Sequence, residues 1–573
     1  MKAVSTFEFI KSEELTWRDF TTFGAAPNTF PGDKAFPNGL AFADEDNAVA
    51  AAFAADVKAG MMPFLVFGNS TGNSTVNPSK SSASALCWNL AVTALCVALA
   101  LSVMAAAPLE PSTGKVLLGA WYDRNLTDTP TAVNARIGAK PLAFFQTDID
   151  FSGTIKPWTA AKVVVPQFLQ QIKDTNTDTI AMLTVYPFQG YANITDAQLK
   201  EMADYLNQIV NAGHSVFFRF ASEMNGSWFQ YGQDPIGFLA AWKRCITYWR
   251  NALGANKDKV AFIWSPNSGN GYPYPNNVYS INQNATDAAT IANLKALDTN
   301  GNGKLDEQDN PYLPYYPGDD LVDWVGMSVY HYGLQWPWVD NSVPVSDEFE
   351  SYLQGSQTNA KLFGYYPFYD YFAGPSGVKD GAGNSVSAGN KPLIISETGA
   401  SFHFAWDDQT TDKTPRPNSC PVPYCTETTS RVDIKQAWWK SFLNKDFTAK
   451  YPQMKAVSFF EFVKSEELTW RDFTSFGAAP NTFAGDATYP NGLSFVPEAN
   501  AVASAFAADV KAGNMPFLVF AGAAQSSGNA TVNGASTTAS ASSPSGGATT
   551  SKSGAIGVMA GAFGTIFAVL LAI

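Results

Sequence analysis

The sequence predicts a (β/α)8 barrel, and two observations carry that prediction. Between Val116 and Phe520, eight short apolar runs rich in β-branched and aromatic residues alternate with longer helical stretches, over roughly 400 residues. Several of the runs close on polar or charged residues, as expected where the C-terminal ends of barrel strands form a functional face. The fold class is therefore α/β, with an extra N-terminal fragment and an apolar C-terminal tail outside the barrel.

In chain order the predicted strands are VLLGAWY from Val116, LAFFQTDI from Leu142, TIAMLTVYP from Thr179 and SVFFRFASEM from Ser215. VAFIWSPN from Val260, DWVGMSVYHY from Asp323, KPLIISETGA from Lys391 and MKAVSFFEFV from Met454 follow. Helical stretches separate them. DAQLKEMADYLNQIVNAG, from Asp196, closes on Gly213, which suits a C-cap. PIGFLAAWKRCITYWRNALG, from Pro235, carries Cys245 as a buried helical thiol. By the strand-end rule the functional residues are Glu223, Asn267, Tyr330, His331 and Glu397.

Glu223 and Glu397 fall at the ends of the fourth and seventh strands. Cleaving a glycosidic bond needs an acid to protonate the leaving oxygen and a second carboxylate to act on the anomeric carbon, so a pair at these positions fits that chemistry. Met224 and Trp228 are expected to desolvate Glu223 and keep it protonated, while Arg219 keeps part of the site ionised. Trp121, Trp228, Trp264, Trp336 and Trp406 are candidate platforms for apolar sugar faces.

The stretch RFASEMNGSWFQYG, Arg219 to Gly232, resembles the acid/base motif of glycoside hydrolase family 26: Arg, two residues, His, Glu, Met, Asn, Gly, any residue, Trp. IISETGA resembles that family's nucleophile strand, and WSPN and DWVGMSVY resemble its fifth and sixth strand ends. The resemblance implies a retaining, endo-acting hydrolase of β-linked polysaccharide, most often β-mannan. It implies Glu223 as acid/base, Glu397 as nucleophile and Tyr330 set against the nucleophile. Arg219, Ser222, Asn225, Trp228, Trp264, Asn267, His331, Trp121 and Trp406 complete the expected binding set. Ser222 stands where the family pattern has His, a hydroxyl with shorter reach and no imidazole charge. No cofactor is expected for catalysis. A sugar-binding wall protein without turnover, and a transglycosylase, are the alternatives.

DTNGNGKLDEQD, from Asp298, has calcium-loop spacing independent of that family. Asp298, Asn300, Asn302, Lys304, Asp306 and Asp309 occupy positions one, three, five, seven, nine and twelve, with Gly303 at the sharp turn and Asp309 in place of the usual Glu. A structural Ca2+ pinning a long loop between the fifth and sixth strands is expected; an ion-free polar turn is the plainer reading.

A net charge of −13 and the lack of any basic run argue against nucleic-acid binding. The expected partner is a polysaccharide, met by a monomer. Cys420 and Cys425, in CPVPYC, are close enough in sequence for a small loop disulfide in an oxidising compartment.

The remaining segments point to a secretory route. The stretch 81–107 contains an apolar run from Ser84 that follows Lys80 and ends in small residues, as a signal peptide does; its length would also span a bilayer. The catalytic barrel is placed at 108–522. A Ser/Thr/Gly/Ala stalk at 523–554 precedes a purely apolar end, Ala555 to Ile573, which fits a glycosylphosphatidylinositol (GPI) attachment signal or a plain tail anchor. Sequons at Asn125, Asn193, Asn284 and Asn529 agree with secretion to a cell surface or wall.

Residues 1–67 align without a gap on 454–520, with about four in five positions identical. Two distant copies exclude a solenoid. Residues 1–80 are accordingly expected to be the severed last strand and helix of a related barrel, joined to this one by gene fusion and adding nothing to catalysis. The mature chain is expected to begin near Ala107.

Overall fold

The computed structural model describes residues 106–524 except 125–126, 139, 276, 335–337, 339, 356–364, 382, 407–428, 467–468 and 479–494, together with strands at 10–13 and 16–19. The chain forms two compact units, Met1–Ala106 and Ala107–Ile573. In the first, Ile10–Glu13 pairs antiparallel with Thr16–Asp19. Val463–Glu466 and Thr469–Asp472, their counterparts in the second unit, pair in the same register. The signal-like segment, Cys420 and Cys425, most of the stalk and the apolar C-terminus lie outside the described residues, as do Trp336 and the sequons at Asn125 and Asn529. Among the described residues no helix is long and apolar enough to cross a membrane.

The second unit is a closed barrel of eight parallel strands: β1 Val116–Tyr122, β2 Phe144–Asp150, β3 Ile180–Tyr186, β4 Val216–Phe220, β5 Val260–Trp264, β6 Trp324–His331, β7 Leu393–Ala400 and β8 Met454–Glu461. Each pairs with its sequence neighbour, and β8 closes on β1 with Phe459 opposite Ala120. All eight strands coincide with the runs read from sequence. Parallel neighbours need a crossover, and these are mainly helical.

The crossover helices start and stop for local reasons. The helix Asp196–Asn211 begins with a capping box, Thr195 and Gln198 satisfying each other's backbone N–H groups, and buries Leu199, Met202, Leu206 and Ile209 on one face. Pro235–Leu253 opens with Asp234 accepting from the Gly237 amide and Pro at its first position. Its inner face buries Trp242, Cys245 and Trp249; Cys245 is a free thiol whose burial raises its pKa to about 12. Together with the outward residues of the strands, these faces make the main core.

The barrel interior is filled in layers. At its base Leu117, Phe144, Met182, Phe217, Ile263, Trp324, Ile394 and Ala456 form a separate apolar cluster. Space there is tight: a Cβ on Gly119 would lie 2.4 Å from the Phe144 ring. Each large side chain buried here contributes about 1.5–3 kcal/mol. One period of two further along, the inward positions are polar on six strands, Gln146, Thr184, Arg219, Ser265, Ser396 and Ser458, and glycine on β1 and β6, and that change creates the site.

Candidate active site

The polar layer is a connected network. Ser458 Oγ donates to Gln146 Oε1 at 2.8 Å, and Gln146 Nε2 donates to Thr184 Oγ1 at 2.9 Å and to Glu397 Oε1 at 3.4 Å. Arg219, fully buried on β4, gives Nε to Ser265 Oγ at 3.1 Å and one terminal nitrogen to Ser328 Oγ at 2.8 Å. Its other terminal nitrogen forms a short ion pair with Glu397 Oε1. Ser265 Oγ passes on to Ser396 Oγ at 2.9 Å. A buried polar group left unmade costs about 1–3 kcal/mol, so this layer is stable only because its members pair with one another.

Glu397 reaches the network through an irregularity in β7. Ile394 belongs to the interior base and Ser396 bonds Ser265 inside the barrel, so strict alternation would turn residue 397 outward. The pairing of β7 with β6 shifts register between Ile395 and Glu397, and the extra residue swings the Glu397 carboxylate inward. The Tyr330 hydroxyl, at the end of β6, donates to its other oxygen at 2.8 Å.

Glu223 is placed by two left-handed residues. After β4 ends at Phe220, Ala221 has φ +51° and Glu223 φ +55°. The Ala221 amide still bonds Val185 O on β3, and the Glu223 amide bonds Ser265 O after β5, both at 2.8 Å. Such conformations cost on the order of 1–3 kcal/mol each and concentrate at working sites. The Glu223 side chain is buried, accepts from Trp228 Nε1 at 2.9 Å and lies 3.9 Å from the Arg219 guanidinium. Burial raises its pKa first and the nearby Glu397 charge second, while Arg219, Ser328 and Trp228 pull it down. Trp228 therefore acts on Glu223 against the expectation: its N–H favours the ionised form.

Three expected binding residues lie elsewhere. Trp264 has no exposed surface; it is out of phase with Ile263, points away from the barrel axis, packs on Phe368 and Phe372 and bonds Tyr315 O. His331, out of phase with Tyr330, is fully buried with Glu348 on one ring nitrogen and Ser342 O on the other. Asn225 is buried with both ends of its amide spent on the Asn267 backbone, where it ties two strand-end loops together. All three are buried, with their polar atoms paired within the protein. Ser222 is buried to 1%, and its carbonyl accepts from the Tyr231 hydroxyl. Asn267 and Trp121 are partly exposed at the mouth. Trp406 lies in a described strand, but its side chain lies outside the described residues.

Residues 161–349 match the model for glycosyl hydrolase family 26, a span that holds Arg219, Glu223 and Tyr330 and stops short of Glu397. Over that span the barrel is similar to glycosyl hydrolase family 26. A Bacillus subtilis mannanase is 16% identical, covering 61% of this chain and 81% of that one, with a TM-score of 0.31. A Cellulomonas fimi endo-beta-1,4-mannanase double mutant is 15% identical over 71% and 73%, with a TM-score of 0.36. The family 26 domain of a Prevotella bryantii endo-beta-mannanase/endo-beta-glucanase is 12% identical over 65% and 88%, with a TM-score of 0.32. Likenesses this remote carry no argument about substrate. No curated protein matches. The match supports reading the barrel as a glycoside hydrolase domain.

Sequence reading missed three mouth residues, Gln146, Asp148 and Ser328, although period-two alternation from Phe144 on β2 marks the first two. The calcium-like loop follows β5 and is held by its own side chains. Asp298 accepts the amides of Asn302 and Gly303, and buried Asp309 accepts those of Thr299, Asn300 and Asp306. Among the described residues no cluster of three or more acidic, His or Cys side chains is gathered to hold a metal.

Proposed function

We propose that the protein is a retaining, endo-acting hydrolase of a β-linked polysaccharide, with β-mannan the first candidate. The observation that carries this reading is the pairing of Glu223 and Glu397 across one buried guanidinium at the C-terminal mouth. Glu223, with its pKa raised by burial and by the Glu397 charge, holds the proton that the leaving glycosidic oxygen takes up. Glu397, oriented by Arg219 and Tyr330, attacks the anomeric carbon to form a glycosyl ester. Glu223, now ionised, then takes a proton from the water that breaks that ester. In a transglycosylase a sugar hydroxyl replaces this water.

The test is release of reducing ends from β-mannan, β-1,3-xylan and mixed-linkage glucan, with the anomer of the first product read by NMR. Glu223→Gln and Glu397→Gln are each expected to abolish turnover while the fold persists; full activity in either variant, or an inverted product, overturns the mechanism. Buried Ser222 favours a second reading, sugar binding without turnover. Saturable polysaccharide binding with no reducing ends from the unaltered protein would decide for it.

The secretory route, the GPI anchor, the Cys420–Cys425 disulfide and the gene-fusion origin of residues 1–80 belong to the same proposal. Release of activity from cells by a phosphatidylinositol-specific phospholipase tests the anchor. Recovery of peptides from 1–80 in the secreted protein would sink the fusion.

A further inference from the structure

β2 carries a third carboxylate into the mouth. Its inward residues follow the period of two: Phe144 in the apolar base, Gln146 in the polar layer on Glu397, and Asp148 next, opposite Thr184 of β3. Asp148 is half-buried, so unlike Arg219 it keeps a face toward the mouth. The Trp121 indole beside it favours its ionised form, as the Trp228 indole does for Glu223.

The loop after β2 is shaped around it. Asp150 accepts the Ser152 amide and hydroxyl and, at 2.6 Å, the Lys156 amide. That fold-back brings the Lys156 ammonium near Asp148 and over the Phe188 ring, 4.9 Å from its centroid, with Tyr186 stacked on Phe188. Trp121, Asp148 and Lys156, the last seated over buried Phe188, thus give one flank of the mouth aromatic surface, an acceptor and a donor. A sugar ring presents apolar faces and hydroxyl donors to such a flank.

A purely structural role fits Asp148 poorly. The carboxylate is set beside Glu397, whose charge opposes its own, and the attraction of Lys156, screened at a half-exposed site, contributes little. We propose that Asp148 is a substrate-binding and specificity-determining residue, its carboxylate accepting hydrogen bonds from hydroxyls of the sugar ring seated against Glu397. This rests on the glycosidase reading of the site. It adds an acceptor that neither catalytic carboxylate supplies.

The groups facing Asp148 are Trp121 on β1, Arg124 beyond it, Lys156 from its own loop, Tyr186 on β3 and Glu397 on β7. Burial first, and Glu397 second, push its pKa up to about 6, against Arg124 and Lys156. Substrate capture is therefore expected to weaken as pH falls through that value.

The test compares Glu223→Gln with Glu223→Gln/Asp148→Asn by titration with oligosaccharides of the three polysaccharides. Asparagine matches aspartate in shape, so folding is preserved and checked by melting temperature. The double variant is expected to bind roughly ten- to hundredfold more weakly, the range for losing a hydrogen bond to a charged group. In the active protein, Asp148→Asn is expected to raise KM more than it lowers kcat and to remove the acid limb of kcat/KM near pH 6. Equal affinity in the two variants, or no binding by Glu223→Gln to any of the sugars, overturns the inference. Tight binding that Asp148→Asn weakens, in a wild-type protein without turnover, would sink the hydrolase reading and leave this one standing.

Discussion

Trp228 Nε1 donates to Glu223 Oε2 at 2.9 Å, so the expected acid is held by an indole that belongs to the same strand-end loop. The bond fixes the carboxyl rotamer and favours its ionised form, against the burial that favours the neutral one. Trp228→Phe keeps the ring and removes the donor. It is expected to move the alkaline limb of kcat/KM upward and to lower kcat about 10- to 100-fold through loss of orientation. A limb that stays in place would show that the indole acts only through packing.

Arg219 is expected to resist even conservative change. Its fork serves Ser265, Ser328 and Glu397 at once, which an ammonium cannot do. Arg219→Lys should lower kcat roughly 10²- to 10³-fold, as for loss of a preorganised donor. Arg219→Met leaves two carboxylates facing each other without a cation and should cost about 3–5 kcal/mol, read by urea unfolding. Wild-type kcat in Arg219→Lys would mean that charge alone suffices.

How far the sequence could be read depends on phase. The strands and Arg219 were legible because apolar runs and a buried cation stand out in composition. His331 was assigned to the mouth by proximity to a strand end and Trp264 as a stacking indole, yet each is one residue out of phase with an inward neighbour, Tyr330 and Ile263. Counting in twos from those neighbours would have turned both outward. Glu397 is the reverse case: counting in twos from Ile394 turns it away, and only the register shift in β7 restores it. Asn225 was not legible, because its partner is the backbone of a loop 42 residues away.

The loop from Asp298 has a prediction of its own. Its carboxylates already bind loop amides, so it can hold its turn without an ion, and Ca2+ would add oxygen ligation across Asp298, Asn300, Asn302 and Asp306. At a calcium concentration near 100 Kd the gain is about 2.7 kcal/mol, worth a few degrees in Tm for a domain of this size. Chelation is expected to lower Tm by that amount, and Asp298→Ala to remove the chelator's effect. A Tm unmoved by chelator in the wild type would leave an ion-free turn.

His403 sets an acid limit on stability. It follows β7 in the strand Phe402–Trp406, which pairs with Thr469–Asp472 beside the mouth. One ring nitrogen meets Thr469 Oγ1 at 2.8 Å and the other Tyr332 O at 2.7 Å, so the neutral ring is fully used. Burial, and after it Arg471, lower its pKa to about 3. The unfolded chain takes up a proton at this residue below its ordinary value near 6.5, whereas the folded chain does so only near 3. Stability is therefore full above pH 6.5 and falls as pH drops toward 3, by up to a few kcal/mol from this group. His403→Gln is expected to be less stable at neutral pH and to flatten the slope of urea midpoint against pH. An unchanged slope would assign acid unfolding to other groups.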